Sequence, residues 1–334
     1  MENSEIDAED MHNVLSQIPQ MLEEAQNILP KIKLSGTIKD IFILGMGGSG
    51  FAGDLLKCYL QEQISLPIYV VKDYQLPSYA DKNSLFFALS YSGNTEETIS
   101  AYREATKHFT KNIIAISSGG RLKSLAEING YHYIPIPSGL PPRLSTPYLF
   151  VPLLKVLQEN GLIKRQDNFL AETVKALKNS FLEKKGQELA QKLHQKLPLI
   201  YSSSKIGCVA EKWKTDINEN AKTLCFYNLF PEFNHNELNG YDNFNTPLSV
   251  VLISDVDDHP RNQKRLRIIK KLLQERKIEV TEVALTGENY LSRLFTALSL
   301  GLWTSYYLAL LYQTNPTPVK IIEEFKEELG KQKN

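Results

Sequence analysis

Short, continuous apolar runs alternate with stretches of helical periodicity along most of this chain. Residues 8–29 place Met11, Val14, Leu15, Ile18, Met21 and Leu22 at helical spacing, which predicts an amphipathic opening helix. Five short runs follow, at 41–44, 68–71, 85–90, 112–117 and 131–136, all rich in β-branched or aromatic residues. Their continuity, rather than alternation, predicts strands covered on both faces, as in a parallel sheet. Segments 51–62, 95–108 and 120–128 between them have helical character, so the pattern predicts a doubly wound α/β unit.

The proline- and glycine-bearing stretch 138–147 interrupts this rhythm. Helices are expected at about 148–160 and 168–196, and then a second series begins. Strands are expected at 198–203, 222–229, 248–254 and 280–285, with helices at 205–219, 260–276, 288–312 and 318–329. The strand, small-residue turn and helix at 40–57 are echoed in layout at 198–214, consistent with an eroded duplication. The expected architecture is therefore α/β, with two tandem doubly wound domains, each a mainly parallel sheet flanked by helices. The boundary falls near 150–165, and the division adopted is 1–157 and 158–334.

Composition narrows the function. The 334 residues are 42% apolar, as suits globular domains. Lysine plus arginine (38) equals aspartate plus glutamate (38), which leaves no basic excess of the kind a nucleic-acid binder carries. No apolar run is expected to span a membrane, and the acidic MENSEIDAED start is unlike a secretory signal. Cys58, Cys208 and Cys225 lack metal-type spacing, and their odd number argues against a disulfide framework. A cytoplasmic location with reduced thiols is expected.

Two turns carry the candidate chemistry. Gly45-Met46-Gly47-Gly48-Ser49-Gly50 lies between a strand and a helix, where backbone amides can approach an anion or a sugar oxygen. Gly45, Gly47 and Gly50 also satisfy the dinucleotide fingerprint, and Asp73 follows the next strand as its acidic partner would. A turn without any ligand is the plain alternative. The second turn, Ser90-Tyr91-Ser92-Gly93-Asn94-Thr95, offers the three hydroxyls of Ser90, Ser92 and Thr95 ahead of another helix start, a neutral cradle for a phosphate dianion. Helix capping by Thr95 or Asn94 needs fewer hydroxyls than this, and a dinucleotide domain needs no such loop.

A glycine-rich turn followed by Ser-x-Ser-Gly-x-Thr resembles the sugar isomerase (SIS) domain family, which binds phosphorylated sugars. The resemblance sharpens at Thr215–Lys222 (TDINENAK) and Pro231–Glu237 (PEFNHNE), similar to the signature of its phosphoglucose/phosphomannose isomerase subfamily. With Leu140-Pro141-Pro142-Arg143 it covers most of residues 36–330. It implies an aldose–ketose isomerase acting on glucose 6-phosphate, and on mannose 6-phosphate as well, through a cis-enediol. The resemblance places the proton shuttle on Glu219, ring opening on His235, charge stabilisation on Arg143, and a C-terminal lysine on Lys326, with Lys320 as the alternative. Gly47, Gly48, Ser49, Ser90, Ser92 and Thr95 are the expected substrate and phosphate contacts. It further implies a homodimer in which His235 enters from the neighbouring subunit.

Glu211 and Asp216 read as solvated charges on the same helix as Glu219. The other histidines read as surface or helix-end residues. No cofactor and no metal are expected, since no histidine–carboxylate cluster of zinc type is visible. Thr304, Gln313 and the turn 315–318 receive no role. Two other readings stand beside the isomerase: a sugar-phosphate sensor that has lost catalysis, and a nicotinamide-dependent dehydrogenase using the first glycine turn.

Overall fold

The computed structural model describes residues 5–331 except Thr110 and Ser180. Two parallel sheets organise it. In the first, β1 (Asp40–Leu44), β2 (Ile68–Val71), β3 (Ser84–Leu89), β4 (Ile113–Ser117) and β5 (His132–Pro135) lie in the order β2-β1-β3-β4-β5. In the second, β6 (Leu197–Ser203), β7 (Phe226–Phe230), β8 (Leu248–Ser254) and β9 (Glu279–Ala284) lie in the order β7-β6-β8-β9. The second order repeats the first four positions of the first, so the echo between the halves extends to topology.

The helices are α1 (Met11–Ser16), α2 (Ile18–Ala25), α3 (Gly47–Leu60), α4 (Glu96–His108), α5 (Gly120–Ile128), α6 (Thr146–Glu159), α7 (Asp167–Leu177), α8 (Phe181–Leu193), α9 (Gly207–Asn220), α10 (Pro260–Glu275), α11 (Tyr290–Leu311) and α12 (Lys320–Lys331). The expected opening helix is thus two helices meeting at Gln17, with Pro19 in the first turn of the second. The expected helix 168–196 is likewise two, α7 and α8. The strand expected from 222 begins only at Phe226, because Lys222 turns the chain with φ 53° and Cys225 N–H donates to Asn218 Oδ1 at 2.9 Å. The expected division at 157/158 falls within the last turn of α6.

The central strands are buried on both faces, as their unbroken apolar runs require, while the edge strands β5, β7 and β9 are partly exposed. On β1, Ile41 and Ile43 join a core that runs on to Ile200, Val251 and Ile253 of the second sheet. Phe42 and Leu44 face the other way, beneath α4 and α5. One central core therefore unites the two sheets, and α11 lies within it. Here the expectation of no membrane-length segment needs correcting. The 22 residues of α11 are long and apolar enough to span a bilayer, but 89% of the apolar window is buried inside the fold. A helix apolar on all sides is a core helix when the rest of the domain covers it.

Candidate active site

Ligands in doubly wound sheets bind beyond the carboxyl ends of the strands where the order reverses. In the first sheet that point lies between β1 and β3, and both sequence-identified turns sit there. The two turns are joined directly, for Tyr91 N–H donates to Ser49 Oγ at 3.0 Å. Within the second turn, Ser90 Oγ and Thr95 Oγ1 are 2.9 Å apart, and Asn94 N–H donates to Ser92 Oγ at 3.2 Å. Thr95 is the N-cap of α4, yet its hydroxyl makes no capping bond. The first amides of α4 are left for another acceptor, which the capping explanation of this turn does not provide.

The first turn meets the proline-bearing stretch 138–147 through a close backbone approach. A Cβ on Gly48 would lie 2.5 Å from the carbonyl oxygen of Pro142 and 2.9 Å from Cα of Arg143. Glycine therefore lets the start of α3 press against the short 3-10 turn Pro142–Leu144 that carries Arg143. That arginine is only 5% exposed. Its Nε donates to Asn220 Oδ1 at 2.7 Å, and its Nη2 donates to the carbonyls of Pro316 (2.9 Å) and Thr317 (2.8 Å). Its Nη1 stands 3.6 Å from Glu219 Oε2. Burial holds the guanidinium below its ordinary pKa, with the Glu219 carboxylate opposing.

Glu219, Lys212, Thr215 and Glu211 of α9 line a cleft of about 200 Å³ together with Arg143, Gly47, Gly48, Phe51, Asp54 and Lys72. The structure therefore gathers four of the sequence-identified residues in one space: Gly47, Gly48, Arg143 and Glu219. Ser49 underlies it through its bond to the second turn. Ser90, Ser92 and Thr95 belong to that adjoining turn rather than to the lining of the cleft.

Of two residues read as solvated, one is buried and the other is only partly exposed. Asp216 is wholly buried against Lys212, and burial pushes its carboxyl up to about 6 despite that ammonium. Glu211 lines the cleft and bonds Lys72 Nζ at 3.0 Å, while Asp54 bonds the same ammonium at 2.8 Å. Helical periodicity placed these residues on one helix but could not say what covers each of them.

Asn220 was missed altogether. It is buried, and it joins Arg143 to α11 by donating to Ser305 Oγ at 2.9 Å. Its position beside Glu219 in the Asn-Glu-Asn run is the signal that was available. The turn 315–318 gains a function as acceptor for Arg143 and for Lys222, whose Nζ is 3.0 Å from the Pro316 carbonyl. Thr304 merely bonds back to the Leu300 carbonyl within α11.

Neither His235 nor Lys326 reaches the cleft of its own chain. His235 is exposed on the 3-10 turn Glu232–His235 after β7. Lys326 lies on α12, where residues 321–330 are all exposed.

Comparisons with known proteins identify the family. Residues 37–129 match the SIS domain, and residues 182–329 match the bacterial phospho-glucose isomerase C-terminal SIS domain. A bifunctional phosphoglucose/phosphomannose isomerase of Caldicellulosiruptor bescii is 40% identical over 98% of this chain and 99% of its own length. A D-glucosamine-6-phosphate 4-epimerase of Sulfolobus acidocaldarius is 34% identical over 74% of this chain and 79% of its own. Among solved structures, the C-terminal domain of glucosamine-fructose-6-phosphate aminotransferase from Francisella tularensis superposes with a TM-score of 0.70 at 16% identity. That match covers 92% of this chain and 98% of the other, and it shows the shared fold. By fold, by domain matches and by near full-length similarity, this chain belongs to the bifunctional phosphoglucose/phosphomannose isomerase family.

Proposed function

We propose that the chain interconverts glucose 6-phosphate and mannose 6-phosphate with fructose 6-phosphate, without a metal. The observation that carries this reading is the Glu219 carboxylate 3.6 Å from the buried Arg143 guanidinium, on the wall of a cleft of sugar-chain dimensions. Glu219 removes the proton from carbon 2 of the open-chain aldose, giving a cis-enediol, and returns it to carbon 1. Negative charge that develops on the oxygens of carbons 1 and 2 is met by Arg143, which three neutral acceptors already hold in place. The phosphate is taken by Ser90, Ser92, Thr95 and the uncapped amides of α4, with Gly47, Gly48 and Ser49 forming the adjoining wall.

The assembly is a homodimer in which each subunit supplies His235, for ring opening, and Lys326 to its partner's cleft. Support comes from α12, whose Ile321, Ile322, Phe325 and Leu329 are all exposed. A twelve-residue helix with no buried residue has little stability alone, so its apolar face calls for a second copy. The two-domain division near residue 157 and a cytoplasmic setting complete the proposal, the latter in keeping with three free, buried thiols.

The test is coupled detection of fructose 6-phosphate from each hexose phosphate, with and without EDTA. Turnover of both, unchanged by the chelator, is expected. Glu219→Gln is expected to lower kcat by roughly 100-fold or more while leaving binding nearly intact. Consumption of glucosamine 6-phosphate alone, with neither hexose phosphate turned over, would refute the reading.

A further inference from the structure

The cleft contains a second buried cation that the proposed chemistry has not used. Lys212 is 4% exposed, lines the cleft with Glu219, and lies with its ammonium 5.5 Å from the centre of the Phe51 ring. An ammonium carries three donors. Among the described residues, Asp216 is the hydrogen-bond acceptor that Lys212 meets, one turn further along α9. The second oxygen of Asp216 has no partner. Burying such a pair costs several kcal/mol per ion unless the geometry compensates. Here one member is sealed in the core and the other opens on the cleft with donors free.

Asp216, which holds the ammonium, precedes Glu219 by three residues on α9, and Lys212 and Glu219 line the same cleft. We propose that Lys212 contacts the substrate directly, donating to the hydroxyl on carbon 3 or carbon 4 of the open-chain sugar phosphate. Asp216 is its positioning residue. The inference rests on the isomerase reading, because that reading sets carbons 1 and 2 at Glu219. Lys212 thereby orients the middle of the chain while Arg143 serves the reacting end.

The experiment measures dissociation constants of glucose 6-phosphate and its 3-deoxy and 4-deoxy analogues on the Glu219→Gln protein, with and without Lys212→Met. Loss of the contacted hydroxyl is expected to weaken binding roughly tenfold or more when Lys212 is present, the size of a charge-assisted hydrogen bond. With Lys212→Met the same analogue is expected to lose less than about twofold. Equal penalties in both backgrounds for both analogues would overturn the inference. If Lys212→Met fails to fold because Asp216 is stranded, Lys212→Met with Asp216→Leu removes both charges, and the same comparison applies. Wild-type turnover, assayed in parallel, separates the two levels. An active wild type with equal penalties defeats this inference alone, whereas an inactive wild type defeats the isomerase reading.

Discussion

At the scale of single residues, Gly48 shows how a turn can matter without touching chemistry through a side chain. A methyl at this position would collide with the backbone of Pro142 and Arg143, neither of which can move as a flexible side chain does. Gly48→Ala is therefore expected to displace the arginine, lowering kcat/KM by roughly tenfold or more, and to cost about 1–3 kcal/mol of stability through the backbone clash; a steady-state assay beside urea unfolding checks both. The glycine turn, the hydroxyl turn, Arg143 and Glu219 were legible because each sits in a motif. Asn220 and Lys212 were not legible, because their significance lies in which neighbours the fold brings to them. Asp216 was misread for a related reason: one residue of a helix cannot report its own burial.

Elements explain why α9 holds Glu219 in place. Trp213 is fully buried on the far side of that helix, and its Nε1 donates to the Ala297 carbonyl of α11 at 2.8 Å. The two helices approach closely because Gly301 leaves room for the indole, whose atoms would lie 2.5 Å from any Cβ there. Gly301→Ala is expected to destabilise the fold by about 1–3 kcal/mol, measured by urea unfolding, through overpacking that forces α9 and α11 apart. Strands and most helices were readable from apolar continuity and periodicity. The break at Gln17, the α7–α8 split and the late start of β7 were not. Local turn geometry sets those breaks and starts, and at Lys222 a positive φ overrode an apolar pattern that resembled a strand.

For the whole molecule, the proposed shared site makes a sharp demand. Glu219→Gln and His235→Asn are each expected to be inactive as purified dimers. Mixing them under conditions of subunit exchange is expected to restore roughly one quarter of wild-type activity, since half of the dimers are then mixed and each holds one intact site. No recovery despite proven exchange would place His235 outside the partner's cleft. The sequence suggested the dimer only by resemblance, because nothing in a single chain's pattern states what covers an exposed apolar face. The bonds from Arg143 to the carbonyls of Pro316 and Thr317 add a thermodynamic dimension to this assembly. Those carbonyls belong to the strap that leads into α12, so in the proposed dimer docking of α12 on a second subunit would be coupled to fixation of the guanidinium. By linkage, substrate binding that favours the arginine's working position would then tighten that proposed association, and association would tighten substrate binding by the same factor.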